Sequence, residues 1–72
     1  MLRRDGRIED AINAYNKAID IEPRYSKPYY NLGILYDDIG KHDLAVFYFK
    51  KAIEIEPDFK EAREKLNEIY NR

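Results

Sequence analysis

The chain has 72 residues, with 13 Lys plus Arg against 14 Asp plus Glu and no cysteine. That length holds one small domain with a modest core, and a charge near zero gives no broad electrostatic basis for binding nucleic acid. The lack of cysteine removes disulfides and thiolate metal sites and fits a reducing compartment, the cytoplasm. No apolar run is long enough to span a membrane, and the opening MLRRDGRIED lacks the apolar stretch of a secretory signal. High charge, more Ile than Leu, and little Met or Trp fit a thermophile source.

Four helices are predicted in chain order. The first, about 7–21, carries Ile8, Ala11, Ile12, Tyr15, Ala18 and Ile19 at helical spacing and stops before Pro23. The second, about 25–39, tolerates Pro28 in its first turn, spaces Tyr29, Leu32, Gly33 and Tyr36 along one face, and ends at Gly40. The third, about 42–55, starts with Asp43 at the positive end of its dipole, lines one face with Ala45, Phe49, Ala52 and Ile53, and stops before Pro57. The fourth, about 59–71, is expected to be capped by Asp58 with Glu61 closing a capping box. Its apolar stripe is narrow: Phe59, Ala62, Leu66, Ile69 and Tyr70. Glu61–Lys65 and Glu68–Arg72 pair four apart on its polar side.

The segments KAIDIEP at 17–23 and KAIEIEP at 51–57 disclose a repeat. A shift of 34 maps Gly6 onto Gly40, Ala11 onto Ala45, Tyr15 onto Phe49, Ala18 onto Ala52, Pro23 onto Pro57, Leu32 onto Leu66 and Tyr36 onto Tyr70. Self-similarity at such a period means stacked supersecondary units. Small residues (Gly33, Ala45, Ala52) beside large ones (Tyr29, Leu32, Tyr36, Phe49) give the knobs and gaps by which two helices approach closely.

The stretch YYNLGILYDDIGKHDLAVFYFKKAIEIEP resembles a tetratricopeptide repeat. Tyr29, Leu32–Gly33, Tyr36, Ala45, Phe49, Ala52 and Pro57 stand at that family's signature spacing. The resemblance covers roughly 6–71 and implies an all-α solenoid of helix–turn–helix repeats whose work is protein–protein interaction. It divides the chain into the second half of a repeat at 6–23, a complete repeat at 24–57 and a capping helix at 58–72. The tail departs from the pattern, with Arg63 in place of an aromatic and Asn67 in place of Gly.

Two surfaces follow. The first helix lacks its own repeat's partner, so Ile8, Ile12, Tyr15 and Ile19 are expected to be partly bare, either because the chain is a fragment of a longer array or because it self-associates. Leu44 and Phe47 stand where the family is usually polar and where the first copy has Asp10 and Asn13. They extend the expected homo-oligomer contact.

The resemblance also implies a concave groove for a peptide, lined by Lys27, Tyr30, Asn31, Ile34, Asp37 and Asp38 from the second helix and by Lys65 from the fourth. One branch of the family clamps a peptide's C-terminal carboxylate. Asn31 and Lys65 match clamp positions, but Glu61 replaces a cation, so the clamp is incomplete. A mixed, mildly acidic groove favours a basic or aromatic segment. Tyr30→Ala with Ile34→Ala is then expected to abolish binding without changing the mass.

No enzyme is expected. The single histidine, His42, is read as a packing residue in the turn after Gly40, and Ser26 as part of a helix start. No catalytic residue, metal site or cofactor is predicted.

Overall fold

The computed structural model describes residues 2–72, with side chains from Arg7 onward. Four helices follow one another: α1 (Leu2–Ile21), α2 (Ser26–Asp38), α3 (His42–Ile55) and α4 (Lys60–Tyr70). Each packs chiefly on its neighbours in sequence, most extensively α2 on α3. The result is a slab of 36 × 33 × 16 Å, barely thicker than one helix with its side chains. No strand occurs among the described residues, and no helix among them is long and apolar enough to cross a membrane.

The α1–α2 and α3–α4 turns are the same turn used twice. After α1 the Glu22 N–H donates to Ala18 O at 2.8 Å and the Tyr25 N–H to Glu22 O at 3.1 Å. After α3 the Glu56 N–H donates to Ala52 O at 2.9 Å and the Phe59 N–H to Glu56 O at 3.0 Å. Pro23 and Pro57 sit inside these turns, where they bar continuation of the preceding helix. Between α2 and α3 the stop is different. Gly40 takes φ +85°, its N–H donates to Asp37 O at 3.1 Å, and the Lys41 N–H reaches back to Tyr36 O at 2.8 Å. This is the Schellman closure that a left-handed glycine permits.

Two local expectations are corrected. Helix α1 begins at Leu2 and runs straight through Gly6, although the repeat equates Gly6 with Gly40. A glycine only permits a stop; packing of α2 back onto α3 is what requires one at Gly40. Among the described residues no second helix packs back at Gly6 in the way α2 packs on α3, and α1 carries the penalty of about 1 kcal/mol for a helical glycine. Nor does Asp58 cap α4. The N-cap position falls to Phe59, with no side-chain cap hydrogen bond, and the Asp58–Glu61 box does not form. Asp58 belongs to the Pro57 turn, and the Phe59 ring is drawn into the core, so helical geometry starts one residue later. Glu61 still meets the dipole in the first turn.

The core sits between α2, α3 and the start of α4. Leu32, Ala45, Phe49, Ala52 and Ala62 are fully buried and Phe59 is 9% exposed. Gly33 is the point of closest approach: a β-carbon there would stand 2.7 Å from two ring atoms of Phe49. Ser26, buried at the start of α2, donates its hydroxyl to Glu56 Oε1 at 2.5 Å and so ties the first residue of α2 to the end of α3. Tyr29 donates to Pro23 O at 3.5 Å, and Arg63, its counterpart one repeat later, donates to Pro57 O at 3.0 Å. The guanidinium thus replaces the phenol in bracing the preceding turn.

Candidate functional site

The side of α2 that looks toward α4 is shaped by two pins. Near its start, the Tyr30 ring lies 4.9 Å from that of Phe59 and 5.9 Å from that of Phe49. At its end, Arg72 donates Nη1–H to Asp37 Oδ1 at 2.9 Å and Nη2–H to Oδ2 at 3.1 Å, a bidentate fork across 35 residues of sequence. His42 Nδ1 also donates to Asp37 Oδ1 at 2.8 Å; a carboxylate only accepts, so the proton sits on Nδ1. The two pins tie α2 to the residues that flank α4, Phe59 at its start and Arg72 just past its end.

This changes the roles of three predicted residues. Tyr30 packs against the core cluster of Ala52, Phe59 and Ala62, so it builds the groove before it can contact a ligand. Tyr30→Ala would loosen α4 and is not a clean probe of binding. Asp37, only 16% exposed at its side chain, is already paired with Arg72 and His42. His42 does not pack; its side chain is half exposed and hydrogen-bonded to that carboxylate.

The Arg72 guanidinium holds the Asp37 carboxyl below the usual carboxylate range; partial burial pushes it up, and His42 adds to the lowering. Asp37 in turn raises Arg72. Because the folded pKa of Asp37 is depressed, its contribution to stability is present above the unfolded value of about 3.9 and is lost as pH falls through the folded value. Arg72→Ala is therefore expected to lower the thermal midpoint at pH 7, and the gap to the parent is expected to close at a pH below the depressed folded value of Asp37. A gap of the same size at both pH values would contradict the pairing. Solvent around Arg72 keeps the effect small.

The remaining predicted groove residues form a stripe. Lys27, Asn31, Ile34 and Asp38 follow the i, i+4, i+7, i+11 spacing of one helix face. The side chains of Lys27, Asn31 and Asp38 make no hydrogen bond among the described residues, and Ile34 is partly exposed between them. The repeat shift places Lys65 on the same side of α4, where it lies 3.9 Å from Glu68.

The second predicted surface divides in two. On α1, Ile8, Ile12, Tyr15 and Ile19 are all partly exposed, and the helix has no fully buried residue among those described. Ile21 and Tyr25 at its end are among the most exposed large apolar residues. Tyr25 is 52% exposed where its counterpart Phe59 is 9%. Leu44 and Phe47 are 40% and 51% exposed on α3, away from the α1 stripe.

The Phe47 ring meets Tyr48 edge-on at 5.1 Å, Tyr48 stacks on Tyr36 at 5.5 Å, and Tyr29 lies 6.2 Å from Tyr48. Burial in this cluster pushes the Tyr48 phenol up. Sequence reasoning overlooked Tyr48 because the repeat equates it with Ala14. Spacing of three and seven residues from Phe47 to Leu44 and of Tyr29 to Tyr36 was the available signal. Among the described residues no group of three His, Asp or Glu could hold a metal ion.

A family model described as tetratricopeptide repeat matches residues 26–59, and a second, described as TPR repeat, matches 1–40. Proteins from Hordeum vulgare and from Oryza sativa subsp. japonica, both named probable UDP-N-acetylglucosamine–peptide N-acetylglucosaminyltransferase SPINDLY, are 36% identical over 45 residues. That match takes in 62% of this chain and 5% of theirs. Among solved structures, the crystal structure of MamA superposes with a TM-score of 0.85 at 35% identity, over 90% of this chain and 38% of that one.

Proposed function

The chain belongs to the tetratricopeptide repeat family, and on that premise we propose that it is a non-catalytic protein–protein interaction module holding a partner's peptide segment along α2, on the side facing α4. The observation that carries this reading is the uncommitted stripe of Lys27, Asn31, Ile34 and Asp38, framed by the Tyr30–Phe59 and Asp37–Arg72 pins. Amide and charges offer polar anchors, and Ile34 offers an apolar one. With Asp37 neutralised internally, Asp38, Glu61 and Glu64 leave the groove mildly acidic, which suits a basic or aromatic segment. In this reading residues 6–23 are half of a repeat, 24–57 a whole one, and 58–72 its cap. The SPINDLY match spans about 5% of those proteins, so their transfer activity gives no ground for a catalytic proposal here.

The test is fluorescence anisotropy with a panel of basic and aromatic peptides. Asn31→Ala with Asp38→Lys is expected to weaken binding about tenfold or more. Asp38→Lys also removes a negative charge from a helix C-terminus, so the fold is not weakened by that change. Undiminished binding by the double variant, or no binding anywhere in the panel, would overturn the groove.

A second reading, self-association through α1, is favoured by one specific contrast. Ala45 and Phe49 on α3 are fully buried beneath α2, while Ala11 and Tyr15, their counterparts on α1, remain partly exposed.

A further inference from the structure

We propose that the Asp37–Arg72 fork is an exchangeable latch: an arginine of the bound segment replaces Arg72 at the Asp37 carboxylate, and Arg72 turns to Glu68. This rests on the groove reading and names the residue by which the partner segment is anchored.

Asp37 is arranged as a receptor for a guanidinium. Its two oxygens accept from Arg72 at 2.9 and 3.1 Å, the planar two-point geometry that a carboxylate offers to arginine. His42, at the start of α3, donates to Oδ1 at 2.8 Å and fixes how the carboxylate is turned. Asp37 lies three residues from Ile34 and seven from Tyr30, so it shares the side of α2 on which the groove is built. The chain's own arginine thus occupies the position of a ligand's.

The present occupant is replaceable. Arg72 lies beyond Asn71, the C-cap of α4, and its side chain is 51% exposed. Withdrawing it opens no core, because the buried residue of α4 is Ala62, in the first turn. Exposed ion pairs are weak, so little opposes the opening. The carboxylate accepts three hydrogen bonds from the described residues where about four fit, so an incoming guanidinium can engage Oδ2 before Arg72 leaves.

A second seat for Arg72 is already in place. Glu68 stands four residues before it, the spacing at which a carboxylate and a cation meet on a helix surface. The Arg72 N–H still bonds to Ile69 O at 3.3 Å, so the helical turn continues to that point. Asp37 chiefly, and Glu68 after it, raise the Arg72 pKa, which places both carboxylates within electrostatic reach of the guanidinium. The present neighbour of Glu68 is Lys65 at 3.9 Å, a long contact. After the exchange both carboxylates remain paired, Asp37 with the partner's arginine and Glu68 with Arg72.

The fork also discriminates between cations. Lysine is a point charge that makes no parallel pair of bonds, and citrulline keeps the plane of arginine without its charge.

NMR titration of the full chain with N-acetyl-arginine amide, read at the Asp37 carboxyl carbon and the Arg72 Nε–H, tests the exchange. The expected result is a saturable shift at both, with the lysine and citrulline analogues about fivefold weaker or more. Arg72→Ala removes the internal competitor and is expected to tighten the probe about two- to fivefold, since an occupied site lowers apparent affinity by the fraction that is open. Affinity then rises in the variant whose thermal midpoint falls, whereas a mere brace would lower both. Glu68→Gln removes only the second seat. It is expected to weaken the probe in the parent and to have no effect beside Arg72→Ala, and it decides even where Arg72→Ala perturbs α4. No shift, equal or weaker binding by Arg72→Ala, or a response that survives Asp37→Asn overturns the latch. Peptides that bind through Asn31 and Asp38 with or without an arginine overturn the latch and keep the groove. A probe that displaces Arg72 in a chain that no peptide of the panel binds keeps the exchange and overturns the groove.

Discussion

Phe49→Ala is expected to leave about half of the molecules or more unfolded at room temperature. The Phe49 ring is fully buried and touches every layer of the core: the close-packed backbone at Gly33, the Tyr30 ring at 5.9 Å, and through it Phe59 at the start of α4. Truncating a buried phenylalanine to alanine costs about 3–5 kcal/mol, in lost transfer energy and in the cavity left behind. A single-core domain of this size holds roughly 3–5 kcal/mol in all. The loss therefore matches the total, and far-ultraviolet circular dichroism should show a large fall in helicity. Phe47→Ala, two residues away and half exposed, should change stability by less than about 1 kcal/mol. A Phe49→Ala chain melting within a few degrees of the parent would show that the core lies elsewhere.

That contrast also marks what the sequence could disclose. Phe49, Leu32 and Ala45 are legible because their roles depend on contacts within one repeat and each has a counterpart in Tyr15, Leu66 and Ala11, while Gly33 is legible from its place beside Leu32 in the family's signature spacing. The stop at Pro57 is legible because Pro23 repeats it, and the stop at Gly40 because glycine admits the left-handed conformation that ends a helix. Gly6 misleads because its role depends on a preceding helix, which the sequence around it does not record. Asp58 misleads because burial of the neighbouring Phe59 ring decides where α4 begins.

The groove was legible as a face and obscure as chemistry. Helical spacing places Lys27, Asn31, Ile34 and Asp38 together, but no motif links Asp37 to Arg72 across 35 residues, and that fork turns a presumed ligand contact into a brace. Tyr30 is similarly disguised. Its counterpart one repeat later is Glu64, so the period carries no sign that the ring packs on Phe59.

The clearest separation of helix propensity from packing comes from one substitution made at two equivalent positions. Alanine favours a helix over glycine by about 1 kcal/mol and over asparagine by about 0.5 kcal/mol. On propensity alone, Gly33→Ala and Asn67→Ala should both stabilise. At Asn67, exposed on α4 with no helix packed over it, that is the expected outcome, a gain of a few tenths of a kcal/mol. At Gly33 the added carbon would stand 2.7 Å from Cδ1 and Cε1 of Phe49, a ring with no exposed edge through which to withdraw. Overpacking of this kind costs about 1–3 kcal/mol, which outweighs the propensity gain and leaves a net loss of roughly 1–2 kcal/mol. The mechanism has its own signature in a double-mutant cycle. If the ring is what the new methyl meets, Gly33→Ala should cost less in a Phe49→Leu background than in the parent, by about 1 kcal/mol. Equal costs in both backgrounds would assign the penalty to the α2 backbone and remove the closest contact from the account of how α2 and α3 pack.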